Sequence, residues 1–535
     1  MKDRVSLTDF LMYHKETHPI SFHMPGHKGR STLYGIYGFG DFIKNVVGND
    51  ITEIPGADAL QQPRERIKDI MEGYAGLYGA KHTELLVNGS SAGLMASILG
   101  SVPRGGKLLM GRNSHKSVYG ALRLGGIDPV YIMPEIDGET GLQLGLDPDK
   151  IEAALIKDLD IKAVLVTSPN YYGVLSDIER IASIVHLHGR ILIVDQAHGA
   201  HLKFFDYLRS EDGLPHRAAE NCGADIVVDS THKTLLSFTG SAILNICTES
   251  PDVSRISELL RMLQTTSPSY LLMGSLDINQ QILRMDGYNL IKNWDADIKY
   301  FYEEAAQIAG LGLIDRIDLD ETKVSITMSA LGFSGPELAE ELEKRNIWVE
   351  LTHGDYVMLM TGLGNERGDY EDVLSALRDL SAHHGGRIQG VEPESSASKT
   401  ESAAQDAVQK KAKNEAQAMA KNEAQAANKN ASQPVDKIAE LRTPSSDSAL
   451  IERLEQRKIP DTYEEVPLYS AEGRVLYESI IPYPPGTPIA CPGEVLSKSV
   501  ILYVRDQLVA QHVVLGVDEE GRVKVESDCV LFKEI

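Results

Sequence analysis

Cysteine is scarce in this chain of 535 residues: Cys222, Cys247, Cys491 and Cys529 are far apart, with no Cys-x-x-Cys pair. That argues against a disulfide framework and against a cysteine zinc site, and it fits a reducing cytoplasm. Long apolar runs are missing as well. No stretch approaches the roughly twenty apolar residues that span a bilayer, and the opening MKDRVSLTDFLMYHKETHPI has neither an apolar signal core nor a small-residue cleavage site. A cytoplasmic protein, neither exported nor held in a membrane, is expected. Basic charge is in deficit, with 53 Lys plus Arg against 77 Asp plus Glu and a net charge of -24. This is the wrong sign for gripping a nucleic-acid backbone or an anionic membrane, so neither is an expected partner. The acidic surface serves solubility first and modestly favours the approach of a cationic small molecule.

What is present is an ordinary globular composition, 42% apolar and 24% charged, enough for about two to four domains with a substantial core. From about residue 84 short apolar runs alternate with helix-patterned segments: ELLVNG, KLLMG, PVYIMP, AVLVTSPN, ILIVDQAH, DIVVDS and SAILNIC. Such alternation predicts an α/β fold with a mainly parallel sheet covered by helices on both faces. The expected organisation is an arm at 1–60, a large domain at 61–312 ending in a connecting helix near 275–312, and a small α/β domain at 313–390. Residues 391–434 lack glycine, aromatics, leucine and isoleucine, and repeat AKNEAQA at Ala412 and Ala420. They cannot bury a core and read as a solvated linker before a last domain at 435–535.

In an open parallel sheet ligands sit outside the carboxyl ends of the strands, and the residues there are unusually polar. After ELLV comes Asn88-Gly89-Ser90-Ser91-Ala92-Gly93, a small-residue loop leading into a helix pattern and able to cradle a phosphate. After KLLMG comes Asn113-Ser114-His115-Lys116-Ser117. After ILIV comes Asp195-Gln196-Ala197-His198-Gly199-Ala200-His201, and after DIVVD comes Ser230-Thr231-His232-Lys233. Singly each has a plain explanation: a Gly/Ser loop or Asp195 can cap a helix, His115 can be a satisfied turn residue, and Lys233 a solvated lysine. Their joint order suits pyridoxal phosphate. Lys233 would form the Schiff base and move protons, Asp195 would keep the pyridine nitrogen protonated, and His115 would stack on the ring. Gly89, Ser90, Ser91 and Ser230, with His232 beside the lysine, would serve the phosphate. The pair His198 and His201 invites a metal reading, but no third ligand has sensible spacing and no metal is expected.

These residues resemble the Orn/Lys/Arg decarboxylase family of fold type I pyridoxal phosphate enzymes, in the short form without an N-terminal wing. The resemblance runs from PGHKG at Pro25, through Asp50-Ile51-Thr52-Glu53, NGSSAG, SHKS, VDQAHGAH and STHK, to TTSPSY at Thr265, and resumes at GRVLYESIIPYPPGTPIACPGE. It implies an aspartate-aminotransferase-like large domain with a mainly parallel seven-stranded sheet, a small α/β domain and a C-terminal α/β domain. It also implies a homodimer with active sites at the subunit interface. Lys233, His232, His115 and Asp195 become catalytic expectations, Ala197 and His198 join the cofactor contacts, and Thr265 becomes the residue lent by the neighbouring subunit to the phosphate. Glu494, in PGE, takes the place of the family's acidic contact for the substrate's distal cation. The implied reaction is α-decarboxylation of a basic L-amino acid in polyamine metabolism, arginine first, then lysine or ornithine. Departures are Ser90 where Thr is common, SPNYYG at Ser168 to Gly173, and Gly240 where Gln is common. Two rival readings are a fold type I aminotransferase or aldolase, and an inactive pyridoxal phosphate binding regulator. An aminotransferase would clamp the substrate carboxylate with an arginine, for which Arg345, Arg367 and Arg378 are the candidates.

Overall fold

The apolar runs form one sheet of seven strands: β1 (His82–Leu86), β2 (Lys107–Gly111), β3 (Asp128–Ile132), β4 (Ile161–Thr167), β5 (Ile191–Asp195), β6 (Ile226–Asp229) and β7 (Ala242–Ile246). The structure is a computed structural model describing residues 6–384, 454–457, 459–460, 462–483, 487–509 and 513–527. The 391–434 linker, Cys529 and the Pro484 to Gly486 part of YPPG lie outside them. The order across the sheet is β1-β7-β6-β5-β4-β2-β3. β2 to β6 are parallel, and β7 alone is reversed, antiparallel to both β1 and β6.

Period-two alternation explains why these strands read as unbroken apolar runs. Leu108 and Met110 of β2, with Ile193 of β5, enter one core, while Leu109, Leu192 and Val194 enter the core on the opposite face. Both faces are covered, so neither needs a polar side chain. The polar residues are displaced to the strand ends, where the candidate site gathers.

The connecting helix runs Tyr270–Ala305, earlier than the sequence pattern suggests. The Ser269 hydroxyl accepts the Leu272 amide and starts it, and the chain turns out of it by Gly310, at φ 79°. A four-stranded antiparallel sheet follows, built from Gly312–Leu313, Lys323–Thr327, Leu351–His353 and Tyr356–Met360. Helices Gly335–Glu343 and Arg367–His384 bury Leu338, Leu342, Val373 and Leu377 in the core shared with its strands. The apolar stretch from Ile347 to His353 holds two strands. Ile347–Val349 pairs in parallel with Ile20–Phe22 of the N-terminal arm, and Leu351–His353 joins the four-stranded sheet. Glu350 stands at the break. Beyond the linker, helix Lys498–Val509 and two short antiparallel strand pairs enclose Leu468, Leu476, Ile480, Val500 and Val523.

Candidate active site

Lys233 lies in the short helix Thr231–Thr234, directly after β6, and its Nζ is 2.9 Å from His198 Nε2 in the turn after β5. Burial lowers the Lys233 amine to about 8, against the opposing pull of the Asp195 and Glu350 carboxylates and with further lowering by Lys323. An amine in that range is partly neutral near pH 7 to 8 and can act as a nucleophile. Asp195 closes β5, buried, with Oδ1 accepting the Ala197 amide at 3.2 Å. Burial raises its carboxyl while Lys233 opposes the rise. Two acid-base groups of opposite charge thus face each other at adjacent strand ends.

Three histidines surround them in neutral form. Burial, with Lys233 nearby, takes His115 down to about 4 and His198 well below its ordinary range. His232 also falls to about 4 through burial, opposed by the bond from its Nδ1 to the Ser241 carbonyl at 2.6 Å. His115 caps helix Lys116–Gly125 through the Ser117 amide, so the turn role read from sequence coexists with its place beside Lys233.

The loop after β1 retains open donors. Gly89, at φ 71°, starts helix Gly89–Ser101, and Asn88 makes no side-chain cap, so the first-turn amides including Ser90 and Ser91 keep no capping partner from it. Elsewhere at the strand ends, the buried polar atoms Thr167 Oγ1, His198 Nδ1, Ser230 Oγ and Thr234 Oγ1 have no hydrogen-bond partner. Orphaned polar atoms are costly in a finished core and ordinary in a site awaiting a polar ligand. An amine near pH 8, a buried acid at the adjacent strand end and an uncapped helix start fit pyridoxal phosphate.

A layer of contacts missed from sequence holds this arrangement. Lys323 Nζ, fully buried, donates to the His198 carbonyl at 3.1 Å and pairs with Asp320 Oδ2 at 3.3 Å. Asp320 Oδ1 in turn meets His201 Nε2 at 3.1 Å, and His201 and Lys323 hold its carboxyl far below the usual range against its burial. His198 and His201 therefore serve different partners instead of converging. Gly26 of PGHKG donates to the His232 carbonyl at 2.8 Å, and a Cβ there would strike the Leu235 backbone, which is why that loop needs glycine. Tyr171 of SPNYYG sets its ring edge-on to His198 at 4.8 Å and donates to Glu350 Oε1 at 2.9 Å. Lys323, Asp320 and Glu350 carry no local signal, since only the fold brings them here, and Tyr171 is marked in the sequence only by the departure of SPNYYG from the family pattern.

Glu494 requires a correction. Arg112, next after β2, donates Nε to Glu494 Oε1 at 3.1 Å and Nη2 to Oε2 at 2.7 Å, while the Cys491 amide donates to Oε2 at 2.7 Å. Both side chains are 2% exposed. The guanidinium also donates to the Pro488 and Ile489 carbonyls and lies against the Tyr119 and Tyr131 rings. A carboxylate this fully satisfied fastens the PGE segment to the large sheet and does not await a substrate cation. Thr265 is exposed, and its amide lies 3.4 Å from Asn88 Oδ1 of the same chain, so it stands beside its own chain's Gly89 loop.

Comparison with known proteins settles the family. Residues 5–311 match the Orn/Lys/Arg decarboxylase major domain, and residues 448–516 match the C-terminal domain of the same family. The chain belongs to the Orn/Lys/Arg decarboxylase family. It is 30% identical to an arginine decarboxylase of Bacillus subtilis (strain 168) over 519 residues, 95% of this chain and 94% of the relative. It is 23% identical to a lysine decarboxylase of Pseudomonas aeruginosa, across 90% of this chain and 73% of the relative. Among solved structures, the constitutive lysine decarboxylase of E. coli superposes with a TM-score of 0.66 at 19% identity, covering 97% of this chain and 81% of that one. The fold is therefore fold type I, as the sequence reading expects.

Proposed function

We propose that the protein is a cytoplasmic pyridoxal phosphate enzyme that removes the α-carboxylate of a basic L-amino acid, arginine ahead of lysine and ornithine, supplying polyamines or their precursors. The observation that carries this is the Lys233 amine, half-buried against His198 and acted on by the Asp195 charge, at the strand ends of a fold shared with this family. The names of the relatives, arginine decarboxylase and lysine decarboxylase, point to the substrate class.

The bound cofactor would supply a sink for the electrons of the breaking carbon–carboxylate bond. The protein supplies attachment, orientation and proton handling. Lys233 would hold the cofactor, and its amine, lowered to about 8, would be able to give a proton to the substrate carbon from its ammonium form. Asp195 would keep the cofactor's ring nitrogen protonated. His232 donates from Nδ1 to the Ser241 carbonyl, which leaves Nε2 with a free lone pair to share in proton movement. His115 would supply a flat neutral ring, and the amides of Ser90 and Ser91 with the Ser230 hydroxyl would hold the phosphate beside Gly89, whose own amide donates to the Gly240 carbonyl at 2.8 Å.

The aminotransferase reading loses its clamp. Arg345 is bound to Glu341, Arg367 to Asp297 and Arg378 to Glu304, so all three candidate arginines already face carboxylates. A homodimer is part of the proposal. Leu7, Phe10, Leu11, Met12, Tyr13 and Val47 of the arm leave large apolar surface exposed, and Thr265 has its place in such a dimer at the loop rim. The test is to incubate the protein and pyridoxal phosphate with arginine, lysine and ornithine separately. Carbon dioxide and the matching amine should form in equal amounts from one preferred substrate. No carbon dioxide from any of the three would overturn the proposal.

A further inference from the structure

At the root of the Lys233 turn, four side chains close a ring that the chemistry above does not use. Asp229 ends β6, directly before Ser230, and is fully buried. Gln196 follows Asp195 at the end of β5, also fully buried, and Asn245 lies in β7. Glu220, half-buried, reaches them from the turns before β6. The Gln196 side-chain amide donates to Glu220 Oε2 and to Asp229 Oδ1, both at 3.0 Å. The Asn245 side-chain amide donates to Glu220 Oε1 at 3.0 Å and to Asp229 Oδ2 at 3.2 Å.

Both amides are fixed in this sense, since Gln196 Oε1 accepts the Ala219 amide at 2.8 Å and Asn245 Oδ1 accepts the Thr83 hydroxyl at 2.7 Å. Two NH2 groups, each divided between the same two carboxyls, hold those carboxyls against each other. Among the described residues neither carboxyl forms a salt bridge. Two carboxylates so placed, one of them fully buried, cannot both stay charged, whereas a proton kept between them turns repulsion into a hydrogen bond. Burial pushes the Asp229 carboxyl well above its ordinary range and Glu220 pushes it further, against the pull of the two amides. The other ionisable groups facing the ring are neutral or engaged elsewhere. Tyr78 donates to the Ala200 carbonyl at 2.8 Å, Lys203 donates to Asn221 Oδ1, and Asp225 meets His186 at 2.9 Å. Burial pushes the Cys222 thiol up to about 12 and raises Cys247 as well.

We propose that Glu220 and Asp229 share one proton and form a positioning pair that clamps the ends of β5 and β6, fixing the spacing between Asp195 and Lys233. Gln196 adjoins Asp195, and its backbone amide donates to the Val228 carbonyl at 3.1 Å, while Asp229 opens the turn that carries Lys233. Loss of the proton sets two charges against each other at that junction. The folded chain holds a proton there that the unfolded chain has released, so this contribution to stability falls as pH rises toward the point where the pair ionises. The consequence for Lys233 rests on the pyridoxal phosphate reading above; the shared proton does not.

The test reads the proton directly. Infrared spectra of the full chain loaded with pyridoxal phosphate, in light and heavy water near neutral pH, would compare wild type with Glu220→Gln and Asp229→Asn. Wild type should show the deuterium-sensitive carbonyl stretch of a protonated carboxyl that both variants lose. In both variants kcat should fall by about tenfold or more while KM stays within about threefold, because the reacting groups are displaced and the substrate contacts are kept. The absorbance of the cofactor on Lys233 checks that each variant is intact, and the wild-type band tests the proton even where a substitution prevents folding. Absence of the band from wild type, or its persistence in both variants, would overturn the shared proton. A band that behaves as expected with kcat unchanged in both variants would overturn the positioning role. A band of this kind in a protein that turns over no basic amino acid would instead sink the decarboxylation reading and leave the shared proton in place.

Discussion

Two buried polar clusters stand at the carboxyl ends of the same sheet, and they are built on opposite rules. Around Arg112 and Glu494 the opposing charges meet: the bidentate ion pair is supplemented by two carbonyls, a backbone amide and two aromatic rings. Around Lys233 the accounts stay open, with a partly neutral amine, three neutral histidines, orphaned hydroxyls and a Glu350 carboxylate that meets a tyrosine and an amide and, among the described residues, forms no salt bridge. The first cluster joins two parts of one chain. The second is arranged for something the chain does not contain. Satisfaction of buried polar groups, more than residue type, distinguishes a glutamate that fastens the fold from one that borders the site.

The largest effect that tests this contrast is at Lys233. Lys233→Ala should remove the absorbance of lysine-bound cofactor and lower kcat by more than about 10⁴-fold, with little change in melting temperature. Retained turnover would dissolve the distinction at its centre. On the satisfied side, Arg112→Met should cost about 3–5 kcal/mol in chemical denaturation, because it strands a buried carboxylate. An Arg112→Met, Glu494→Leu pair should recover much of that loss. A smaller effect sharpens the comparison directly. Glu494→Gln should lower stability by about 1–3 kcal/mol while KM for the preferred substrate stays within about threefold. A large rise in KM with unchanged stability would return Glu494 to the substrate pocket.

The mildest effect is on pH. His232 falls from an ordinary 6.5 to about 4 through burial. Between those values the unfolded chain binds more protons than the folded one, so stability rises with pH across this window and is fully present above it. From pH 7 to pH 5 this one histidine should cost the apoprotein about 2 kcal/mol, read as a fall in denaturation midpoint that His232→Gln reduces.

Much of this was legible from the chain itself. All seven sheet strands fall on the apolar runs, because burial on both faces leaves a continuous hydrophobic signature. Lys233, Asp195, His198, His115 and the Gly89 loop were readable because short motifs at strand ends keep their chemistry local. Glu350, Tyr171, Lys323 and Asp320 were not, since each meets the site through a contact more than a hundred residues away in sequence, or through a partner that is. The reversal of β7 was also hidden, because strand direction leaves no trace in composition.

Sequence alone therefore determined the fold class and the family, and pointed to the proposed cofactor, since periodicity and motif order are properties of neighbouring residues. The tertiary structure decided which acid is locked in an ion pair. Glu494 and Glu350 are the same side chain, and no local pattern distinguishes them. One folds against an arginine 382 positions away in sequence, and the other against a tyrosine and an amide. The availability of a charge depends on what the fold places beside it, and that is settled only when distant segments meet.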